Sequence, residues 1–221
     1  WKTDVVRKKF AKEGFQSDLV EHYSHRPFDV RFIYWHSAIV FNMRGDKMEC
    51  FRSANPPVAL LFARNTTKEI YSNFFVTHWI TDIHCLETMN VAPLFTGSAG
   101  VSAANTLGLA MAVQPNFNRL FLTKLANRMS LPAIKAHSLP DGLTPEDIFH
   151  YIYAVFHSPV YRSRYAEFLK IDFPRLPLTG NLELFRALGR LGGELVDLHL
   201  LESPKLDQSI TQFIGGRNPE V

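Results

Sequence analysis

An α+β fold is what these 221 residues predict, with a strand-rich, mixed-sheet first part (1–141) and a mostly helical second part (142–221). Two observations carry that expectation. Runs rich in β-branched and aromatic residues, among them DVRFIYW (29–35), PVALLFARN (57–65) and NFFVTHWITDIHC (73–85), all fall before residue 96. From residue 116 the apolar residues recur at helical spacing, and clear helix-start signals stand among them.

Taken in order, DVVRKKFAKE (4–13) is expected to be a short basic helix, and 29–35 a strand. AIVFNM (38–43), the turn RGDK (44–47) and KMECF (47–51) read as a hairpin, which would put Arg44, Lys47 and Arg52 at or near its tip. Strands are expected again at 57–65, 73–85 and 91–95, and GSAGVSAANTLG (97–108) reads as a loop. A helix over 117–129 would bury Leu120, Phe121, Leu125 and Met129. Thr144 then offers an N-cap, Pro145 suits the first turn, and Glu146 and Asp147 favour the positive helix end.

Ser158-Pro159 repeats that start signal and opens SPVYRSRYAEFLKIDFPRLP (158–177). Tyr161, Tyr165, Phe168 and Leu169 share a helical face there, until Pro174 and Pro177 force an extended strap. Its tyrosines are expected to pack and hydrogen-bond at the junction of the two parts, so that the segment positions rather than reacts. A long helix over about 181–201 carries Leu184, Leu188, Leu191, Leu195 and Leu198 as a seam expected to be buried. Gly189, Gly192 and Gly193 inside it each cost about 1 kcal/mol relative to Ala, so a neighbouring backbone comes close or the helix bends. SITQFIGG (209–216) looks like a final strand.

Composition narrows the class. Hydrophobic residues at 46% and charged residues at 20% describe a globular chain, and 18 phenylalanines make its burial aromatic. Cys50 and Cys85 are too few for a disulfide framework, which suits a reducing cytoplasm. No apolar run approaches the ~20 residues of a membrane span. A chain that opens on Trp1 and closes on NPEV is expected to be a piece of a longer polypeptide. The net charge of +3 divides unevenly. Residues 1–141 carry 16 Lys+Arg against 11 Asp+Glu, and residues 142–221 carry 8 against 10. A basic first part suits a polyanion.

Motifs for chemistry are sparse. ANPPVAL (54–60) contains the Asn-Pro-Pro turn of amino-methyltransferases, yet Val58 stands where an aromatic residue would stack on a flipped base. No Gly-rich cofactor loop precedes it, so it reads as a turn before a strand. His78, Asp82 and His84 would share one face of a strand and could hold Zn²⁺, but no well-spaced Cys or His elsewhere completes the set. GSAG lacks the spacing of a nucleophile elbow, RGD (44–46) is a turn sequence, and YIYAVF (151–156) reads as core. No catalytic residue, metal ligand or cofactor site is assigned. What remains is recognition: Arg31, Arg44, Lys47, Arg52, Arg64, Asn65 and Lys68 have the chemistry for phosphate contacts and base reading.

YSHRPFDVRFIYW (23–35) resembles the Y-x-x-RPFD-x-R-x-x-Y-aromatic block that follows the methyltransferase domain in type ISP restriction–modification enzymes and related large DNA methylases. FFVTHWITD, APLF, QPNFN, the long block from Thr144 to Leu178, and LFRALGRLGGELVDLHLL resemble that family's C-terminal region in the same order. The resemblance runs from Tyr23 to Leu201. It departs at 44–70, where a basic segment becomes FRSANPPVALLFARN, and again at 96–113.

The resemblance implies a target-recognition lobe (1–141) and a helical C-terminal lobe (142–221), with double-stranded DNA and the methyltransferase domain of the same polypeptide as partners. Nuclease, helicase-like ATPase and adenine methyltransferase, with S-adenosylmethionine, ATP and Mg²⁺, would belong to other domains. Two other readings stand beside it: a structural coupling module that leaves DNA to other domains, and a metalloenzyme built on His78, Asp82 and His84.

Overall fold

The computed structural model describes residues 3–40, 43, 48–53, 55–66, 72–82, 84–96, 113–132, 139–208, 210–212 and 214–215. The α+β expectation is met. Helix α1 (Thr3–Glu13) leads through a short 3₁₀ turn into the hairpin β1 (Val20–Arg26) and β2 (Asp29–Tyr34). Strands β3 (Ala59–Ala63), β4 (Phe74–Thr77), β5 (Ile80–Thr81) and β6 (Met89–Pro93) follow, then the small pair β7 (Phe95–Thr96) and β8 (Gln114–Pro115). The later helices among the described residues are α2 (Arg119–Arg128), α3 (Pro145–His157), α4 (Pro159–Arg164), α5 (Ala166–Leu169) and α6 (Leu182–His199).

Two three-stranded sheets result. One has the order β2-β1-β5, with β1 antiparallel to β2 and parallel to β5. The other, β4-β3-β6, is antiparallel throughout. The RPFD block is the turn between β1 and β2. Pro27 suits the first central position of the turn, and Phe28 takes the second at φ 63, a left-handed conformation rare for a bulky residue. Its ring meets Phe75 edge-on at 5.0 Å and His199 at 5.9 Å, so the turn tip rests on β4 and α6.

The expected strand at 73–85 breaks in two. Thr77 Oγ1 accepts from the Trp79 backbone N–H (2.9 Å), bending the chain so that β5 leaves the β4 sheet and joins β1. Ser24 of β1 lies 2.6 Å from the Thr77 hydroxyl, and Thr81 Oγ1 donates to the Ser24 carbonyl at 3.2 Å. These three buried residues satisfy one another where the chain changes sheets.

Over its described residues the hairpin expected at 38–51 is not seen. Ile39 and Val40 both donate to the His36 carbonyl, which makes 36–40 a turn instead of a strand. His36 is held there by Glu13 at 3.1 Å and by the Phe10 ring at 5.1 Å, so α1 competes successfully for this segment. Glu49–Arg52, overlapping the strand expected at 47–51, form a 3₁₀ turn that buries Phe51. The RGDK turn lies outside the described residues.

The largest apolar cluster draws on both sides of residue 141. Leu60, Phe74 and Val76 from the strands and Leu94 between β6 and β7 pack with Leu125 of α2, Ile148, Tyr153 and Phe156 of α3, Tyr161, Leu169, and Phe185 and Val196 of α6. Phe74 stacks on Phe156 at 4.5 Å, and Tyr151 on Phe185 at 4.5 Å. The opposite face of β3 is buried too, with Ala59 against Trp35, Phe51 and Ile80, and Leu61 against Phe75, Cys85 and Met89. YIYAVF is core, as its sequence suggests: Tyr151, Tyr153, Val155 and Phe156 are all buried.

Thr144 caps α3 as expected, within a full capping box shared with Asp147. The leucine seam of α6 is a correction. Its buried face is Phe185, Gly189, Gly192 and Val196, whereas Leu184 and Leu191 are 48% and 54% exposed. On α2 Leu125 and Met129 are buried as expected and Phe121 packs against the core, whereas Leu120 is exposed and Leu122 is buried in its stead. SITQFIGG is not a strand over its described residues, where Ile210 and Ile214 are exposed.

Candidate nucleic-acid interface

The seven residues singled out for recognition meet different fates. Arg44, Lys47 and Lys68 lie outside the described residues. Arg52 turns inward. Its Nε donates to Glu21 at 2.6 Å and its Nη1 to Glu49 at 3.1 Å, which ties the 3₁₀ turn to β1. With both carboxylates so close, Arg52 is a clamp inside the molecule and presents little charge outward. Arg31 is exposed on β2 and grips Asp29 through two nitrogens, at 2.7 and 3.0 Å. That hydrogen-bonded guanidinium holds the Asp29 carboxyl below its usual range.

Arg64 and Asn65 follow β3 directly and are exposed. The strap after α5 runs past them. Arg64 sits over the Phe173 ring at 5.5 Å, and its Nε lies 3.8 Å from Asp172 Oδ1. Arg175, two residues on from Phe173, sits over Phe168 at 4.7 Å, with Nη2 3.7 Å from Asp172 Oδ2. Sequence reasoning missed Arg175. The available signal was its place in FPRLP, since two flanking prolines hold an arginine on an extended segment away from any helix.

The strap is fixed from behind. Tyr161 Oη donates to the Arg175 carbonyl at 2.9 Å, and Tyr151 Oη donates to the Pro177 carbonyl at 2.7 Å. Burial, with Tyr165 alongside, pushes the Tyr161 phenol up to about 12, so it remains a donor. Tyr161 therefore does what the sequence suggested, with Tyr151 of α3 adding a second tie, while Tyr165 is exposed and only rests its ring beside that of Tyr161. Arg162 also points in, donating to the Phe156 carbonyl at 2.8 Å and to His157 Nδ1 at 3.0 Å.

The candidate metal residues do not converge. His78 Nδ1 donates to the Pro56 carbonyl at 3.2 Å, which makes the NPP turn a backbone anchor. Asp82 accepts from Tyr23 Oη and from the His84 backbone N–H. Burial raises the Tyr23 pKa well above its ordinary value, with the Asp82 hydrogen bond adding to it. Among the described residues no three His, Cys, Asp or Glu side chains group as metal ligands, and no helix is long and apolar enough to cross a membrane.

The family model for the Type ISP C-terminal specificity domain matches residues 1–221. The chain belongs to that family. Solved structures of similar fold bear out the architecture of this specificity domain. A cryo-EM structure of a DrdV–DNA complex aligns at TM-score 0.67 and 20% identity over 90% of this chain. The ATP-dependent Type ISP restriction-modification enzyme LlaBIII bound to DNA aligns at 0.64 and 20% over 91%. A nuclease-deletion mutant of the Type ISP enzyme LlaGI, in complex with a DNA substrate mimic, aligns at 0.57 and 23% over 84%. The chain spans 18%, 12% and 12% of the lengths of those proteins. Among curated proteins none matches it.

The specificity domain carries a second notable surface. Val20, His22, Val30 and Phe32 share one face of the hairpin by register, and Phe32 is 71% exposed. His22 lies between Phe32 at 4.8 Å and Trp79 at 4.5 Å, making a short aromatic row beside the edge strand β2.

Proposed function

We propose that this specificity domain recognises DNA sequence on behalf of an adenine methyltransferase and an ATP-dependent endonuclease carried by the same polypeptide. The observation that supports this best is the family match over the whole chain. Three solved structures that share the fold are DNA complexes, and two of these are of Type ISP restriction-modification enzymes. In this reading the domain has no catalytic group of its own. S-adenosylmethionine, ATP and Mg²⁺ act in other domains, double-stranded DNA and the methyltransferase domain are its partners, and the protein works in the cytoplasm. Base reading falls to side chains beside the strand ends, with Arg64 and Asn65 the best-placed described residues of those the sequence offered.

Selection from a randomised duplex library at about 50 and 200 mM salt tests the proposal, because non-specific phosphate binding falls steeply across that interval. Enrichment of one short motif that survives the higher salt is expected. Failure to enrich any motif, both with this chain and with the whole polypeptide, would sink it. The aromatic row of exposed Phe32 and His22 with half-buried Trp79 favours a second reading, in which the domain couples protein parts without reading DNA. Loss of methylation in a Phe32→Ser polypeptide that still enriches the motif would assign that surface to protein contact.

A further inference from the structure

We propose that Arg64 and Arg175 form a two-arginine clamp for a single backbone phosphate of duplex DNA, with Asp172 between the arms drawing the two like charges to one place. The inference rests on the DNA-reading function above and names a contact within it. Both side chains are well exposed, 64% and 78%, yet neither is loose. Each guanidinium lies over an aromatic face, Arg64 on Phe173 and Arg175 on Phe168, which orients the plane and leaves its N–H edge outward. The supporting backbone is tied by Tyr161 to the Arg175 carbonyl and by Tyr151 to the Pro177 carbonyl.

The carboxylate between them is shared but not gripped. Its two oxygens stand 3.8 Å from Arg64 Nε and 3.7 Å from Arg175 Nη2, beyond the ~2.7–2.9 Å of a charge-assisted hydrogen bond. The contrast lies in the same molecule: Arg52 reaches Glu21 at 2.6 Å and Arg31 reaches Asp29 at 2.7 Å. Asp172 Oδ1 is occupied instead by the Phe173 backbone N–H at 2.8 Å. Neither Arg64 nor Arg175 donates a hydrogen bond to another described residue, so their donors are available to a ligand. Two arginines against one carboxylate leave a net positive charge. An anion with oxygens on several sides, as a phosphate diester has, can satisfy both forks where the planar carboxylate reaches neither well.

The test uses the whole polypeptide that carries this domain, a duplex containing its enriched motif and a second duplex with that motif scrambled. Arg64→Gln, Arg175→Gln and the double variant are compared with the parent over a salt series, with circular dichroism confirming unchanged folding. Each single variant should weaken binding to both duplexes alike. Each should also lower the salt slope by about 0.9, the value for one phosphate, so that the affinity lost between 50 and 200 mM shrinks about threefold. The double variant should lower the slope no further, because the counterion at one phosphate is released only once. A parent that binds with variants unchanged in affinity and slope would overturn the clamp and leave the DNA reading standing. A double variant with twice the slope change would assign two separate phosphates and overturn the shared clamp. A parent that binds neither duplex would remove the DNA reading and the clamp with it.

Discussion

Gly192→Ala should destabilise this protein although it replaces the poorest ordinary helix former with the best. The Cβ added at Gly192 would stand 1.9 Å from the His150 carbonyl oxygen and 2.7 Å from its carbon, both backbone atoms of α3, and 3.2 Å from Ala154 Cβ. Ordinary contact begins near 3.4 Å, so α3 and α6 must separate by roughly 1.5 Å at the point where Phe185 and Val196 are buried. Overpacking of this kind costs up to about 3 kcal/mol or somewhat more. The gain in helix propensity returns about 1 kcal/mol. The net is about 2 kcal/mol, or a melting point lower by about 4–8 °C in a chain of this size.

Gly189 is the internal control. Its added Cβ would meet the Asp147 carbonyl at 3.5 Å, which is normal contact, so Gly189→Ala should be neutral or up to about 1 kcal/mol stabilising. Urea melts of the two variants and the parent measure the difference. A Gly192→Ala protein as stable as the parent would refute the close backbone approach. So would a Gly189→Ala protein that loses as much as Gly192→Ala.

Stability should also fall in mild acid. Burial, with Arg162 and His199 nearby, pushes His157 down to about 3, so between pH 6.5 and 3 the unfolded chain takes a proton that the folded one refuses. The stabilisation is complete above pH 6.5 and is lost as pH falls. At pH 5 the loss amounts to about 1–2 kcal/mol after allowing for the ring's partial exposure, and urea melts of His157→Gln should show a shallower dependence; equal stability of the parent at pH 7.5 and 5 would contradict this. Thr144→Ala removes the side chain that accepts from the Asp147 N–H at 3.1 Å and should cost about 1 kcal/mol in a thermal melt. Arg52→Met should leave Glu21 and Glu49 without their cation and cost about 1–2 kcal/mol, with DNA affinity unchanged. Weaker DNA binding at unchanged stability would instead make Arg52 a contact residue.

Local signals were legible and non-local ones were not. Thr144-Pro145 and Ser158-Pro159 mark helix starts because caps are read within four residues, and both stand where the sequence put them. VEHYSHR gives no strand signal on its own, since its charged and His side chains are poor strand formers. It becomes β1 because the RPFD turn folds β2 against it. The seam of α6 was misplaced for a related reason. Pattern reading weights leucines, but the closest packing runs along the glycines, where nothing stands between the two helix backbones. AIVFNM is rich in strand formers, yet residues 36–40 turn because His36 is claimed by Glu13 and Phe10 from α1. For the candidate site the same division holds. Residue type marked Arg52 and Arg64 equally, and only the fold separates the arginine held by two glutamates from the one left over an aromatic ring.

That separation bears on what the strap at 158–177 is for. A linker between a recognising part and a helical part would need only to span them, and proline with a few polar residues would suffice. This one has two backbone carbonyls held by tyrosine hydroxyls, its own Tyr161 and Tyr151 of α3, and buries Leu169 completely. It also lays Phe173 near Phe62 of β3, with ring centres 6.1 Å apart. Those contacts fix the strap against the strand end that carries Arg64 and Asn65, through the same core that joins β3 and β4 to α3 and α6. Any ligand gripped by Arg64 and Arg175 would therefore pull on strand and helices together rather than on a hinge between them. A strap fixed in this way suits contacts that must hold one register on a duplex, since phosphate contacts set the position from which bases are read.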